Sequence, residues 1–340
     1  MARQTRVTIA TAIRTAQKKL EKDYNSGFIK KSTYKGNKSS FRTLSKLIGR
    51  YKLTELNAAA LENFFNEELL EVVHSKGIGY KDKTRLNMHT SLKYVYEHYY
   101  KRDMIRVNPF LKGVKVKRKN DGEPILPYLA SEIKALLSVR DGTGIVEGFY
   151  FACREGLRVS ELIALTEQNS QIFDKEPSVL IDKALVLDEF NNTKTKQSER
   201  NICITRNSAN IIADLLSKPM ELESYTIQGV TYQDRFVFCN PKSGKNWGKS
   251  NSYYEALKPY FERAGIEFRG IQPTRHTYAT ESINSGVEIR AVSEQMGHSN
   301  TVTTLKHYYS PTIAKIGKGA LSYREMHDPY ANMIDLPLAA

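Results

Sequence analysis

The sequence predicts a mainly α protein with a small antiparallel β-sheet, divided into an N-terminal helical domain and a larger α+β domain. Three observations carry this. Apolar residues recur at helical spacing through residues 8–100. Strand-like alternation is confined to the middle of the second part. Between the two parts lies "VNPFLKGVKVKRKNDGEPIL", rich in Pro, Gly and Lys.

The elements follow in order. Residues 8–24 place Ile9, Ile13, Ala16 and Leu20 on one helical face, with Lys18, Lys19 and Lys22 between them. The polar stretch "NSGFIKKSTYKGNKSS" reads as a break, and a second helix is expected over 40–50, with Phe41, Leu44, Leu47 and Ile48 as its stripe. In "LTELNAAALENFFNEELLEVVHSKG", Asn57 is placed to cap a helix and Gly77 to stop it. "YKDKTRLNMHTSLKYVYEHYYKRD" gives Leu86, Leu92, Val95, Tyr96 and Tyr99 on one face. The linker puts a domain boundary near residue 122.

In the second part, "LASEIKALLSV" and "GIVEGFYFACREGLRVSELIALT" read as helices. "SVLIDKALVLD" and "SERNICIT" read as strands, with "EFNNTKTKQ" as the turn region between them. "RFVFCNPKSG" reads as a short strand and a turn, and "SNSYYEALKPYFERAG" as a helix interrupted or shifted by Pro259. "TRHTYATESINSG" and "IRAVSEQMGH" are helices parted by Gly286; the tail from about 311 has weak periodicity.

Charge narrows the function classes. The net charge is +14. Residues 1–120 carry 27 Lys and Arg against 10 Asp and Glu, a balance of +17, and residues 121–340 carry 24 against 27, a balance of −3. Such asymmetry points to a polyanion, most simply nucleic acid. Lys81, Lys83, Arg85 and Lys93 lie towards the start of their helix, where the dipole favours a phosphate. Asn87, Thr90 and Ser91 are the candidates to reach base edges. The basic linker either crosses a DNA backbone or is a solvated connector. No apolar run approaches the ~20 residues that span a bilayer, and the N-terminus lacks a signal-peptide core. Cys153, Cys203 and Cys239 show no metal-ligand spacing, so ordinary burial in a reduced compartment is expected. No metal or cofactor is expected, and the location read from this is cytoplasmic.

Phosphodiester cleavage needs a nucleophile, cations around the phosphate and a proton donor for the leaving oxygen. The chain offers Arg158, Lys196, Arg275, His298 and a tyrosine in that order. Singly each is weak. Together they resemble the tyrosine recombinases, the phage-integrase family. "EGLRVSELIALT" resembles its first arginine box, usually Gly-Leu-Arg-x-Ser-Glu-Leu. "NTKTKQSERNICIT" resembles its lysine hairpin, "TRHTYAT" its second arginine box, and "MGHSNTVTTLKHYYS" the segment leading to its nucleophile.

The resemblance implies a helical core-type DNA-binding domain over 1–121, an α+β catalytic domain over 122–325 and a C-terminal tail over 326–340. It implies that Arg158 and Arg275 bind the non-bridging oxygens of the scissile phosphate and that His298 positions it. Lys196 would protonate the departing 5′ oxygen, with Lys194 as the alternative. Glu161 would support the arginine pocket. Tyr308, ten residues after His298, would attack phosphorus, leaving Tyr309 for packing. The second box usually begins with histidine; here it is Gln272. Glutamine can contact the phosphate or orient the tyrosine but cannot act as a base. His276 would point elsewhere and be structural. The partners implied are double-stranded DNA, three further copies in a homo-tetramer on paired sites, and accessory DNA-bending proteins, with neither metal nor ATP. The tail either packs on a neighbour or folds back. The spacing from Gly-His to the tyrosine favours an integrase of a phage or mobile element, acting at the nucleoid of a prokaryotic or phage-infected cell, over a chromosome-dimer resolvase or a catalytically impaired DNA-binding relative. No arm-binding domain is evident before the first helix, so simple sites are expected.

Overall fold

The structure, a computed structural model, describes residues 6–118, 125–192, 198–298, 300–302 and 304. The chain divides into two compact units, Met1–Glu123 and Pro124–Ala340.

In the first unit three long helices pack on one another: α1 (Ile9–Asn25), α2 (Lys31–Ile48) and, after the elements between, the 82–100 helix. The Thr8 hydroxyl accepts the Thr11 N–H and caps α1. The predicted break after α1 is a correction: α2 begins at Lys31, within the polar stretch. Tertiary contacts hold those polar residues helical. Tyr34 stacks on Tyr24 with centroids 5.1 Å apart, and Asn37 accepts from Ser91 at 2.9 Å. Asn57 caps α3 (Ala58–Asn63), which continues as a π-helical turn, Phe64–Glu68, and α4 (Leu69–Glu71). The helix ends before Gly77, and β1 (Val73–His74) and β2 (Gly77–Ile78) form a small hairpin in its place. Then comes α5 (Asp82–Tyr100). Ile13, Phe41, Leu44, Phe65, Leu92, Val95 and Tyr96 form the shared core.

The supposed linker is partly folded. Pro109–Lys112 forms a 3-10 turn. Beyond it Val114 is buried while Lys115, Lys117 and Arg118 face solvent. Side chains hold this strap as a neighbouring strand would. Glu62 accepts the Lys115 N–H, and Asn66 both donates to the Lys115 carbonyl and accepts the Lys117 N–H.

The second unit opens with α6 (Ala130–Ser138), α7 (Ile145–Glu155) and the short α8 (Val159–Leu162). Most of α7 is buried on all sides, as its near-continuous apolar run dictates. It packs against α6, α8 and three later helices. Each fully buried phenylalanine there, Phe149 and Phe151, contributes about 2–3 kcal/mol of transfer energy. Antiparallel strands follow: β3 (Ser170–Gln171), β4 (Ser178–Ile181), β5 (Lys183–Val186), β6 (Glu189–Asn192) and β7 (Arg200–Cys203). β4 lies between β3 and β7, and β5 pairs with β6. Half of the expected turn region is therefore strand. After α9 (Arg206–Leu216) comes a hairpin absent from the sequence reading, β8 (Glu223–Ile227) and β9 (Val230–Asp234). The expected strand at 235–239 is reduced to one bridge, Thr166 with Phe236. α10 (Ser250–Arg263) runs unbroken through Pro259, held by buried Tyr253, Leu257, Tyr260 and Phe261. α11 (Gln272–Asn284) and α12 (Ile289–Met296) complete the described elements. Cys153 is buried, but Cys203 is exposed on β7, against expectation.

Candidate active site and nucleic-acid face

The site is built where four helix ends meet. Gly156 ends α7 with φ +71°, a conformation other residues rarely adopt. The reversal brings Arg158 to the N-cap of α8, where Glu161 accepts its backbone N–H at 3.0 Å and its Nη1 at 2.6 Å. Arg275 lies in the first turn of α11 and is buried. Its Nη1 donates to the Gly156 carbonyl at 2.5 Å and its Nη2 to that of Met296 at 2.8 Å. Gly297 ends α12 with φ +64° and hands the chain to His298. Arg275 Nη2 is 3.0 Å from His298 Nε2, and His298 Nδ1 is 2.8 Å from Thr304 Oγ1. Arg158 Nη2 reaches the Gly297 carbonyl at 3.3 Å.

The buried Glu161 carboxylate gathers these cations. Its Oε2, which takes the Arg158 backbone N–H, also accepts from Arg200 Nη2 at 3.0 Å. Burial alone would push this carboxyl up, but the charges of Arg200, Arg158 and Arg275 outweigh it and hold it below the ordinary 4.5. The expectation that Glu161 supports the arginines matches this geometry.

A cavity of about 450 Å³ opens over the group, lined by Arg158, Gln272, Arg275 and His298, with Tyr254 and Ile271 among its apolar walls. Four of the sequence-predicted residues therefore converge. His276, expected to face elsewhere, also lines this cavity. Lys196, Lys194, Tyr308 and Tyr309 lie outside the described residues. Two contributors were missed. Arg200 lies within the lysine-hairpin motif with no role implied for it, and one threonine among several, Thr304, carries no signal. Among the described residues no three His, Cys, Asp or Glu side chains cluster as a metal site.

On the first unit Lys81 and Lys83 are exposed at the start of α5. Lys93 is exposed too, 3.8 Å from Glu97 Oε1. Arg85 is a correction: it is buried at 1% exposure. Its guanidinium donates to the carbonyls of Phe65 and Lys117 and to Asp82 Oδ1. A phosphate cannot reach it. Ser91 is likewise buried, its hydroxyl given to Asn37. Asn87 and Thr90 are exposed.

Residues 130–314 match the phage integrase family. The chain belongs to that family, the tyrosine recombinases. This integrase-family chain is 25% identical over 294 residues to a XerC-like tyrosine recombinase of Caldanaerobacter subterraneus subsp. tengcongensis, covering 81% of the chain and 72% of that protein. It is 27% identical over 251 residues to the transposase of transposon Tn916 of Enterococcus faecalis, covering 69% of the chain and 60% of that protein. Its fold matches that of the Tn1549 transposon integrase bound to transposon right end DNA, with a TM-score of 0.72, 20% identity, and coverage of 94% of this chain and 100% of that one. No helix among the described residues is long and apolar enough to cross a membrane.

Proposed function

We propose that this tyrosine recombinase is the integrase of a mobile element, cutting and rejoining duplex DNA through a 3′-phosphotyrosyl intermediate and a Holliday junction. The convergence of Arg158, Arg275 and His298 on one cavity carries the reading. Arginine binds phosphate bidentately and stays charged. The cations here are fixed by Glu161 and by backbone carbonyls before any substrate arrives, so little reorganisation is needed as charge develops.

In the proposed reaction the Tyr308 oxygen attacks phosphorus as its phenolic proton passes to water. The bond to the 5′ oxygen breaks, and Lys196 supplies the proton that leaves with it as a 5′ hydroxyl. The phosphodiester's energy stays in the phosphotyrosyl bond, so neither metal nor ATP is required. Gln272 at the cavity edge contacts the phosphate or orients the tyrosine. Lys81, Lys83 and Lys93 meet the DNA backbone, and four copies act on paired sites.

A duplex carrying the element's ends, nicked beside the cleavage point, tests this. A covalent adduct is expected in EDTA without ATP, lost in Tyr308→Phe with DNA binding retained. No adduct on a duplex the protein binds would overturn the reading, and loss in Tyr309→Phe instead would move the nucleophile by one residue. The XerC-like relative supports a second reading, chromosome-dimer resolution; preference for a chromosomal site over element ends would establish it.

A further inference from the structure

We infer that Arg200 is a positioning residue for the scissile phosphate, acting through Glu161 and the Gly297 turn. The inference rests on the recombinase reading above and adds a residue to its machinery.

Arg200 opens β7, yet its side chain is only 8% exposed. The guanidinium is spent on three separate segments. Nη2 donates to Glu161 Oε2 at 3.0 Å, Nε to the Gln295 carbonyl at 2.7 Å, and Nη1 to the Ser198 carbonyl at 3.0 Å. Glu161 in turn holds Arg158, and Gln295 lies two residues before the Gly297 turn that carries His298. A Cβ on Gly297 would come within 2.8 Å of Arg200 Nη1. The turn is therefore moulded on this side chain.

A buried arginine that only stabilised the fold could equally be replaced by apolar packing. Arg200 instead joins the holder of one phosphate cation to the turn bearing the histidine. Removing it leaves Glu161 with fewer charges around it and unpins Gln295. Arg158 and His298 then lose their shared reference point. A planar fork reaching in several directions is needed, so lysine cannot replace it fully.

The test compares two nicked duplexes in single-turnover cleavage: one with a normal scissile phosphodiester, one with a methylphosphonate there. The methylphosphonate carries no negative charge, so it depends less on well-placed cations. In Arg200→Met, cleavage of the phosphodiester should fall by about 10- to 100-fold, the range seen when a group orienting another ligand is removed. Cleavage of the methylphosphonate should fall by less than about 3-fold on the same scale. Arg200→Lys should lie between wild type and Arg200→Met on the phosphodiester. Equal slowing of both substrates would make the role merely structural, and undiminished cleavage of the phosphodiester would make Arg200 a bystander; either overturns the inference. Should Arg200→Met fail to fold, Arg200→Gln, which leaves Glu161 and its bonds to Arg158 in place, is read the same way. Wild type that cleaves neither duplex would instead overturn the recombinase reading.

Discussion

Arg275 Nη2 stands 3.0 Å from His298 Nε2, while His298 Nδ1 faces Thr304 Oγ1 at 2.8 Å. A guanidinium has only donors, so Nε2 must accept, and the ring proton belongs on Nδ1, donated to Thr304. A phosphate oxygen accepts only. For His298 to bond it through Nε2, that nitrogen must gain a proton and Arg275 must turn from the ring to the phosphate. We predict the Nδ1–H tautomer in the DNA-free protein and protonation of Nε2 once a cleavage-site duplex binds. Nitrogen-15 NMR of the imidazole reads both states; an Nε2–H tautomer without DNA would contradict the assignment. Thr304→Val should remove the bond between Nδ1–H and Thr304 at a cost of about 0.5–1.5 kcal/mol to the site.

Glu161 gives the fold an acid limit. Its carboxyl is held below the ordinary 4.5 by Arg200, Arg158 and Arg275 against the opposing effect of burial. A carboxyl depressed in the folded state stabilises it above the unfolded value, and this contribution disappears as pH falls through the folded one. Urea unfolding should therefore show wild type losing stability below about pH 4.5. Glu161→Gln should lose less over that range, because it cannot titrate. At pH 7 the same variant should be less stable by about 3 kcal/mol, mostly through buried Arg200. Parallel pH profiles for the two proteins would count against this.

On the N-terminal unit, arginine and lysine at neighbouring positions separate stability from binding. Arg85→Met removes the donor to the carbonyls of Phe65 and Lys117 and to the Asp82 carboxylate. It should cost about 3 kcal/mol in unfolding and loosen the strap. Lys83→Ala should leave stability within about 0.5 kcal/mol while lowering the slope of log affinity against log salt by about 1. If Arg85→Met folds normally and only weakens DNA binding, the buried-strut reading is wrong.

Arg85 also shows where the sequence was legible. Charge drew it to the surface in the sequence reading, yet it shares the helical face of Met88, Leu92, Val95 and Tyr99, so the spacing already argued for burial. The start of α2 was not legible, because its polar residues are helical only through contacts with α1 and α5. The β8–β9 hairpin was legible and passed over. Gln228 and Gly229, both at positive φ, form a two-residue turn between alternating strands. At the site, motif order identified Arg158, Gln272, Arg275 and His298. It missed Arg200, because sequence spacing does not reveal that one guanidinium bridges α8, β7 and α12.

Gly156 is the position where the smallest change should do the most damage to chemistry. Its φ of +71° is strained for any side chain, by about 1–2 kcal/mol. An added Cβ would lie 2.5 Å from the ring of Tyr278, a half-buried side chain packed against Ala279, Val292 and Met296. Relief requires the backbone to move, and that backbone supplies the carbonyl that holds Arg275 and leads two residues on to Arg158. Both arginines shift together. Gly156→Ala should lower stability by about 2–3 kcal/mol and slow adduct formation by about 100-fold, the penalty for a reacting group misplaced by about 1 Å. DNA affinity should change little, because the exposed lysines of the first unit are untouched. A melting curve, a gel shift and a single-turnover cleavage assay on one preparation separate the three effects. Cleavage at the wild-type rate would mean that the Gly156 carbonyl does not set the position of Arg275.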